Sequence, residues 1–149
     1  MIIKSNSVKE TVTAGAELAK RLKPGMLVAL TGIFGAGKTY FIKGIAKGLG
    51  VKNWQRSVTS PSFVLMNIHQ GREIRLYHID VHRLDKGSDF YGLGAEDALG
   101  DGVVAVEWAE KIKFRRKPDV TVEIRHKSAG KRVIEISGMK SQCLKKSAK

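Results

Sequence analysis

Apolar residues recur at Val8, Val12, Ala16, Ala19 and Leu22, a spacing of three and four that predicts an amphipathic helix. Its start is marked by Ser7-Val8-Lys9-Glu10, a capping box in which the Ser7 hydroxyl accepts from the Glu10 amide and the Glu10 carboxylate answers the Ser7 amide. Pro24-Gly25 ends the segment. Residues 26–30 are then continuously apolar, as a strand buried on both faces would be. A glycine-rich stretch, 32–37, follows, and residues 39–49 have the length and composition of a helix that stops at Gly50.

Beyond that helix the period changes to two. Two apolar stretches within residues 63–80 flank His69-Gln70-Gly71-Arg72 and predict a hairpin, with Leu76, His78 and Asp80 on one face of its second strand and Tyr77 and Ile79 on the other. Residues 120–125 and 133–136 alternate around Ser128-Ala129-Gly130-Lys131, a second hairpin. Between them, 103–106 reads as a short buried strand capped by Glu107. The sum is an α/β fold, a mixed parallel and antiparallel sheet flanked by helices, with no internal repeat and no linker.

Length adds that one core is expected, since 149 residues fall within the usual size of a single domain. Sixteen glycines against three prolines suit many turns rather than disorder. Charge changes the picture more. Lys and Arg number 27 against 14 acids, a formal net charge of +13, which favours nucleic acid, nucleotides, anionic membranes or an acidic protein as partners. Part of that excess sits in residues 140–149, with four lysines and no acid, so the domain is expected over 1–138 and a basic, frayed tail over 139–149. The single cysteine, Cys143, excludes an intrachain disulfide and a thiolate metal cluster. No run of about 18 apolar residues is present, so no membrane partner and a cytoplasmic location are expected.

The chemistry concentrates in Gly32-Ile33-Phe34-Gly35-Ala36-Gly37-Lys38-Thr39, which fits the phosphate-binding pattern GxxxxGK followed by Ser or Thr. Glycines let backbone amides curl around phosphate oxygens, Lys38 neutralises the outer phosphates, and the helix beginning there turns its partial positive end to the anion. Thr39 would place its hydroxyl on Mg²⁺. The required strand before and helix after are both predicted, so a single P-loop NTPase-like domain binding ATP and Mg²⁺ is expected, with Gly32 through Thr39 and the adjoining Tyr40 as the nucleotide-binding segment.

Such a site also needs an acid at the end of a neighbouring strand. Asp80, ending 75–80, and Glu107, ending 103–107, both fit. His78, Asp80 and His82 have a spacing that would suit a transition metal, but a bend at Asp80 and the lack of a fourth ligand favour ordinary hydrogen bonding. Arg83 is a candidate for phosphate or for Asp80, and Trp108 for packing over the site or, the favoured reading, for filling the core. Thr59-Ser60-Pro61-Ser62-Phe63 offers hydroxyls on a stiffened loop that could sense a terminal phosphate.

In order, Gly35-Ala36-Gly37-Lys38-Thr39, Ser60-Pro61-Ser62-Phe63, His78-Ile79-Asp80-Val81-His82-Arg83, Leu93-Gly94-Ala95-Glu96-Asp97 and Glu107-Trp108 resemble the TsaE family, whose pattern runs GAGKT, SPT plus an aromatic, HxDxYR, LGxxE and EW. The resemblance spans most of the chain. It implies a cytoplasmic P-loop ATPase of tRNA threonylcarbamoyladenosine biosynthesis that sustains the cycle of a TsaB/TsaD transferase complex acting on adenosine 37, with tRNA reached through that complex. Carried over residue by residue, it implies phosphate binding by Lys38 and the loop amides, Mg²⁺ binding by Thr39 and Glu107, and a role for Asp80 toward the attacking water or the metal's waters. It further implies a nucleotide-sensing segment from Ser60 to Phe63 and a position near the nucleotide for Gly130 and Lys131. The chain departs from the pattern at Ile33 and Phe34, where the family has GDLGAGKT, at Ser62 for Thr and at His82 for Tyr. None removes a phosphate or metal ligand, so any effect is expected on water positioning or partner docking, through the acid absent at Ile33 and the hydroxyl absent at His82, and hence on turnover more than on binding.

Two other readings share the loop. A small-molecule kinase would need a lid of arginines, for which Arg115-Arg116 is the available pair. A nucleotide-gated module binding RNA or protein would use the basic surface directly.

Overall fold

In the computed structural model, residues 1–61, 65–84 and 90–138 are described. Ser62, Phe63 and the tail 139–149 lie outside the described residues. The elements run β1 (Ile2–Ser5), α1 (Val8–Ala19), β2 (Leu27–Thr31), α2 (Lys38–Gly48), α3 (Trp54–Ser57), β3 (Met66–Gln70), β4 (Arg75–Asp80), α4 (Ala95–Leu99), β5 (Gly102–Glu107), β6 (Val120–Ser128) and β7 (Lys131–Ser137), with short 3₁₀ turns at Tyr91–Leu93 and Ala109–Lys111.

Seven strands form one sheet in the order β1-β7-β6-β2-β5-β4-β3. The central four, β6, β2, β5 and β4, are mutually parallel, and β7, β1 and β3 pair antiparallel at the two sides. This is the mixed sheet that a continuous apolar run beside alternating hairpins predicts. Alternation divides β2, β4 and β5 between two cores. Val28, Leu30, Leu76, Val103 and Ala105 meet Leu18, Phe41 and Ile45 of α1 and α2. Leu27, Ala29, Tyr77, Ile79, Val104 and Val106 meet Phe90, Ala95 and Ala98 on the other face. The predicted split of Leu76 from Tyr77 and Ile79 is the observed one.

Helix α1 begins at the predicted cap, with Ser7 Oγ accepting from the Glu10 amide at 3.1 Å. The return half of the box differs: the Glu10 carboxylate accepts from the Asn6 amide at 2.6 Å, not from Ser7. The helix also stops earlier than the apolar pattern extends, at Ala19, and Leu22 is buried by a following turn. Val8, which opens the predicted apolar stripe, is exposed, while Thr11, Ala14, Gly15 and Leu18 are buried. The cause is the crossing with α2, where Gly15 meets Gly44 backbone to backbone, so the contact face is set by small residues rather than by the largest ones.

Turns fall within a residue or two of expectation. The first hairpin closes over 71–74, and in the second Lys131 is already the first residue of β7, paired with Ser128. Strand β1 and helices α3 and α4 carry too few residues for periodicity to reveal them. Among the described residues no helix is long and apolar enough to cross a membrane.

Candidate nucleotide site

Three parallel strands end at one place. Glu107, last in β5, is register partner to both Leu30 of β2 and Asp80 of β4. The glycine loop leaves β2 beside them, in the crevice at the carboxyl ends of the strands where open α/β sheets bind ligands. The loop needs its first glycine because a Cβ on Gly32 would stand 2.6 Å from the Ile124 carbonyl of β6.

A cleft of about 300 Å³ results, lined by Ile33, Phe34, Gly35, Ala36, Gly37, Lys38, Thr39, Tyr40, Ser60, Asp80, Glu107 and Trp108. Of the residues singled out by sequence, Gly32 lies just before this lining as an acceptor for Lys38. Gly130 and Lys131 are not brought to it: they form the tip and first residue of the last hairpin, Gly130 facing the Asn6 carbonyl. Arg83 is exposed and outside the lining.

Lys38 is mostly buried, and its ammonium donates to the carbonyls of Gly32 and of Ile33, the latter at 3.1 Å, while lying 4.1 Å from the centre of the Trp108 ring. Burial pushes its pKa below the ordinary lysine range, against the opposing pull of Glu107, Glu110 and Asp80. The first helical turn brings Thr39 Oγ1 to 2.9 Å from Glu107 Oε1, and His78 Nε2 lies 2.6 Å from Glu107 Oε2. With the proton assigned to Nε2, His78 donates to the carboxylate and its buried Nδ1 is left without a partner. Both oxygens of Glu107 are therefore fixed in direction by the helix on one side and β4 on the other.

Asp80 is held separately. Its carboxylate accepts from Ser60 Oγ at 2.8 Å, from the His82 amide at 2.9 Å and faces His82 Nδ1 at 2.8 Å. Burial alone would raise its pKa, but the hydrogen bonds from the His82 amide, the His82 ring and Ser60 outweigh it and leave the carboxyl below its ordinary value. A depressed folded-state pKa makes Asp80 stabilising above its unfolded value, and that contribution disappears as pH falls through the folded value. The melting temperature of Asp80→Asn is thus expected to trail wild type at neutral pH, with the gap closing below about pH 4; thermal melts across pH 2.5–8, roughly the window set by carboxylate titration, check this. A constant gap would mean that the charge on Asp80 contributes nothing.

His78 and His82 thus hydrogen-bond different carboxylates, Glu107 and Asp80. Trp108 meets both readings of it. It packs against the rim of the second core but turns its ring to Lys38 and Phe34, from a left-handed backbone conformation, φ 62°, that costs about 1 kcal/mol for a side chain of this kind. Phe34 lies 4.9 Å from Trp108 and 5.5 Å edge-on to His82, so two of the departures noted above touch each other at the cleft mouth. The candidate lid is tied elsewhere: Arg115 bonds Glu96 and stacks on Tyr91, and Arg116 bonds Asp119 and the Gly25 carbonyl.

A strand, glycine loop and helix set between parallel strands, with acids ending two of them, define an α/β domain of the P-loop nucleotide-binding class. Within that class the chain belongs to the TsaE family: the family model described as threonylcarbamoyl adenosine biosynthesis protein TsaE matches residues 5–134. The chain is 38% identical over 135 residues to the tRNA threonylcarbamoyladenosine biosynthesis protein TsaE of Treponema pallidum, covering 89% of this chain and 97% of that one. It is 38% identical over 131 residues to the protein of the same name from Aquifex aeolicus, covering 87% and 90%. Among solved structures it resembles the crystal structure of YdiB of Bacillus subtilis, with a TM-score of 0.72 and 26% identity over 99% of this chain and 93% of that one.

Proposed function

We propose that the protein is a Mg²⁺-dependent ATPase of tRNA threonylcarbamoyladenosine biosynthesis, which acts on a TsaB/TsaD-type transferase complex to sustain its cycle and meets tRNA through that complex. The observation that carries this reading is the Thr39 hydroxyl 2.9 Å from the Glu107 carboxylate, one residue beyond Lys38 at the start of α2. Two hard oxygen donors beside a phosphate loop are the donor set that suits Mg²⁺, which prefers a carboxylate and substrate phosphates to a full protein cage. When bound, the ion would neutralise charge on the terminal phosphate oxygens.

The chain's own groups then divide the work. Lys38 exchanges the loop carbonyls for phosphate oxygens, and the loop amides and the amino end of α2 hold the remaining charge. Glu107, fixed by Thr39 and His78, keeps one carboxylate direction for the metal. Asp80 stays ionised and accepts a hydrogen bond from the attacking water, oriented by Ser60 and His82. Trp108 and Phe34 stand together along one side of the cleft, where their rings meet.

MgATP hydrolysis by the purified chain, alone and with TsaB, TsaD and tRNA, tests the reading. Wild type is expected to turn over, to be stimulated by the partners, and to lose turnover in Lys38→Ala and in Glu107→Ala. Hydrolysis that the partners leave unchanged and that persists in Lys38→Ala would sink it.

A further inference from the structure

Arg132 is a buried cation that the mechanism above does not use. It sits on β7 opposite Ser5 of β1 and is 7% exposed, although a guanidinium keeps its charge at every accessible pH. Among the described residues no carboxylate pairs with it. Its Nη1 reaches Thr11 Oγ1 only at 3.4 Å, and its Nε is buried with no partner. Thr11 is already engaged, sharing a 2.7 Å hydrogen bond with Ser5 Oγ and reaching the Ser7 carbonyl. A buried charge so poorly compensated is destabilising, and a chain that only needed to fill this space would do better with an apolar side chain.

Its position supplies the missing partner. A Cβ on Gly37 would stand 3.1 Å from the Arg132 Cζ and 3.2 Å from its Cδ, with Nη1 closer still. The guanidinium therefore lies against the back of the loop residue that immediately precedes Lys38 and the first turn of α2. Gly37 has to be glycine on two counts, its left-handed φ of 109° and the approach of Arg132. The guanidinium is buried there, where little water screens a charge.

Resting on the reading of the loop as a polyphosphate site, we propose that Arg132 is a positioning cation of that site: it acts across Gly37 on the phosphates the loop holds, and its buried charge is compensated when a di- or triphosphate is bound. The chemical class recognised is a polyphosphate anion, irrespective of the base attached to it. A purely structural arginine, joining α1, β1 and β7 through Thr11, would instead contribute to folding and not to binding.

The two roles separate by sign. Arg132→Met, Arg132→Gln and Arg132→Lys are compared with wild type by ligand-free melting temperature and by calorimetric affinity for inorganic pyrophosphate and for ATP. Arg132→Met is expected to melt at or above the wild-type temperature while its affinity for both ligands falls about tenfold. Arg132→Gln, neutral but polar, gives the same loss should the methionine variant not fold. Arg132→Lys, which keeps the charge, is expected within about threefold of wild type. Wild-type affinity for pyrophosphate in the neutral variants overturns the proposal, whatever their melting temperature. Failure of wild type itself to bind pyrophosphate, or undiminished binding by Lys38→Ala, would overturn the polyphosphate reading of the loop and the proposal with it.

Discussion

Gly44→Ala is expected to destabilise the protein by about 3 kcal/mol or more, lowering its melting temperature by roughly ten degrees. Propensity alone argues the other way, since alanine is favoured over glycine inside a helix by about 1 kcal/mol. Sterics decide it. A Cβ at Gly44 would stand 2.9 Å from the Cα of Gly15 and closer still to the Val12 carbonyl, both of them backbone atoms of α1 that no rotamer change can move. A Cβ at Gly15 would likewise stand 3.0 Å from the Gly44 Cα. The helices have to separate, and Leu18, Phe41 and Ile45, which share one core with the sheet beneath, lose contact as they do. Gly92→Ala, where a Cβ meets nothing within 4 Å, is the control and should melt close to wild type. Because both glycines serve one contact, the double variant Gly15→Ala, Gly44→Ala should cost less than the sum of its parts. Additive losses, or a stable Gly44→Ala, would show that the two backbones are not in the contact described.

That contact also marks where the sequence was hard to read. A stripe of large apolar residues made Val8 look buried and gave Gly15 no role, because hydrophobic periodicity measures side chains and this interface is made of backbone. The central strands were legible for the converse reason: 26–30 and 103–106 are continuously apolar, and only a strand covered on both faces tolerates that. The candidate site divides in the same way. A local motif announced Gly32 through Thr39, and strand ends announced Asp80 and Glu107, but the partners that orient those acids are set by sheet register. His78 reaches Glu107 because β4 and β5 pair in parallel, placing Asp80 opposite Glu107 and His78 two residues back on the same face. Arg132 lies 95 positions from Gly37 in the chain, and no local pattern links them. The alternation in β4 that put His78 and Asp80 on one face was the available clue for the first; for the second the clue was the resemblance alone, which puts Gly130 and Lys131, directly before Arg132, near the nucleotide.

On the proposed ATPase reading, Glu107→Gln separates holding a nucleotide from consuming it, and turnover is expected to fall by about a hundredfold or more while the fold survives. The amide is nearly isosteric with the carboxylate. Its oxygen can accept from Thr39, whose hydroxyl lies 2.9 Å from Oε1, and its nitrogen can donate to His78 once the imidazole moves its proton to the other ring nitrogen. That nitrogen, Nδ1, is buried without a partner and gains none by the exchange, so a melting-temperature loss of a few degrees is expected. What the variant lacks is the negative charge that, on the proposed reading, is directed at Mg²⁺. Metal-free nucleotide affinity should hold within about threefold, since removing an anion beside the phosphates cannot weaken Lys38 or the loop amides. The enhancement of binding by Mg²⁺ should disappear along with turnover. Calorimetry with and without Mg²⁺, alongside steady-state hydrolysis, reads both quantities on one preparation. Wild-type turnover in this variant would overturn the Mg²⁺ role proposed for Glu107 and transfer that proposal to Asp80, held by Ser60 and His82.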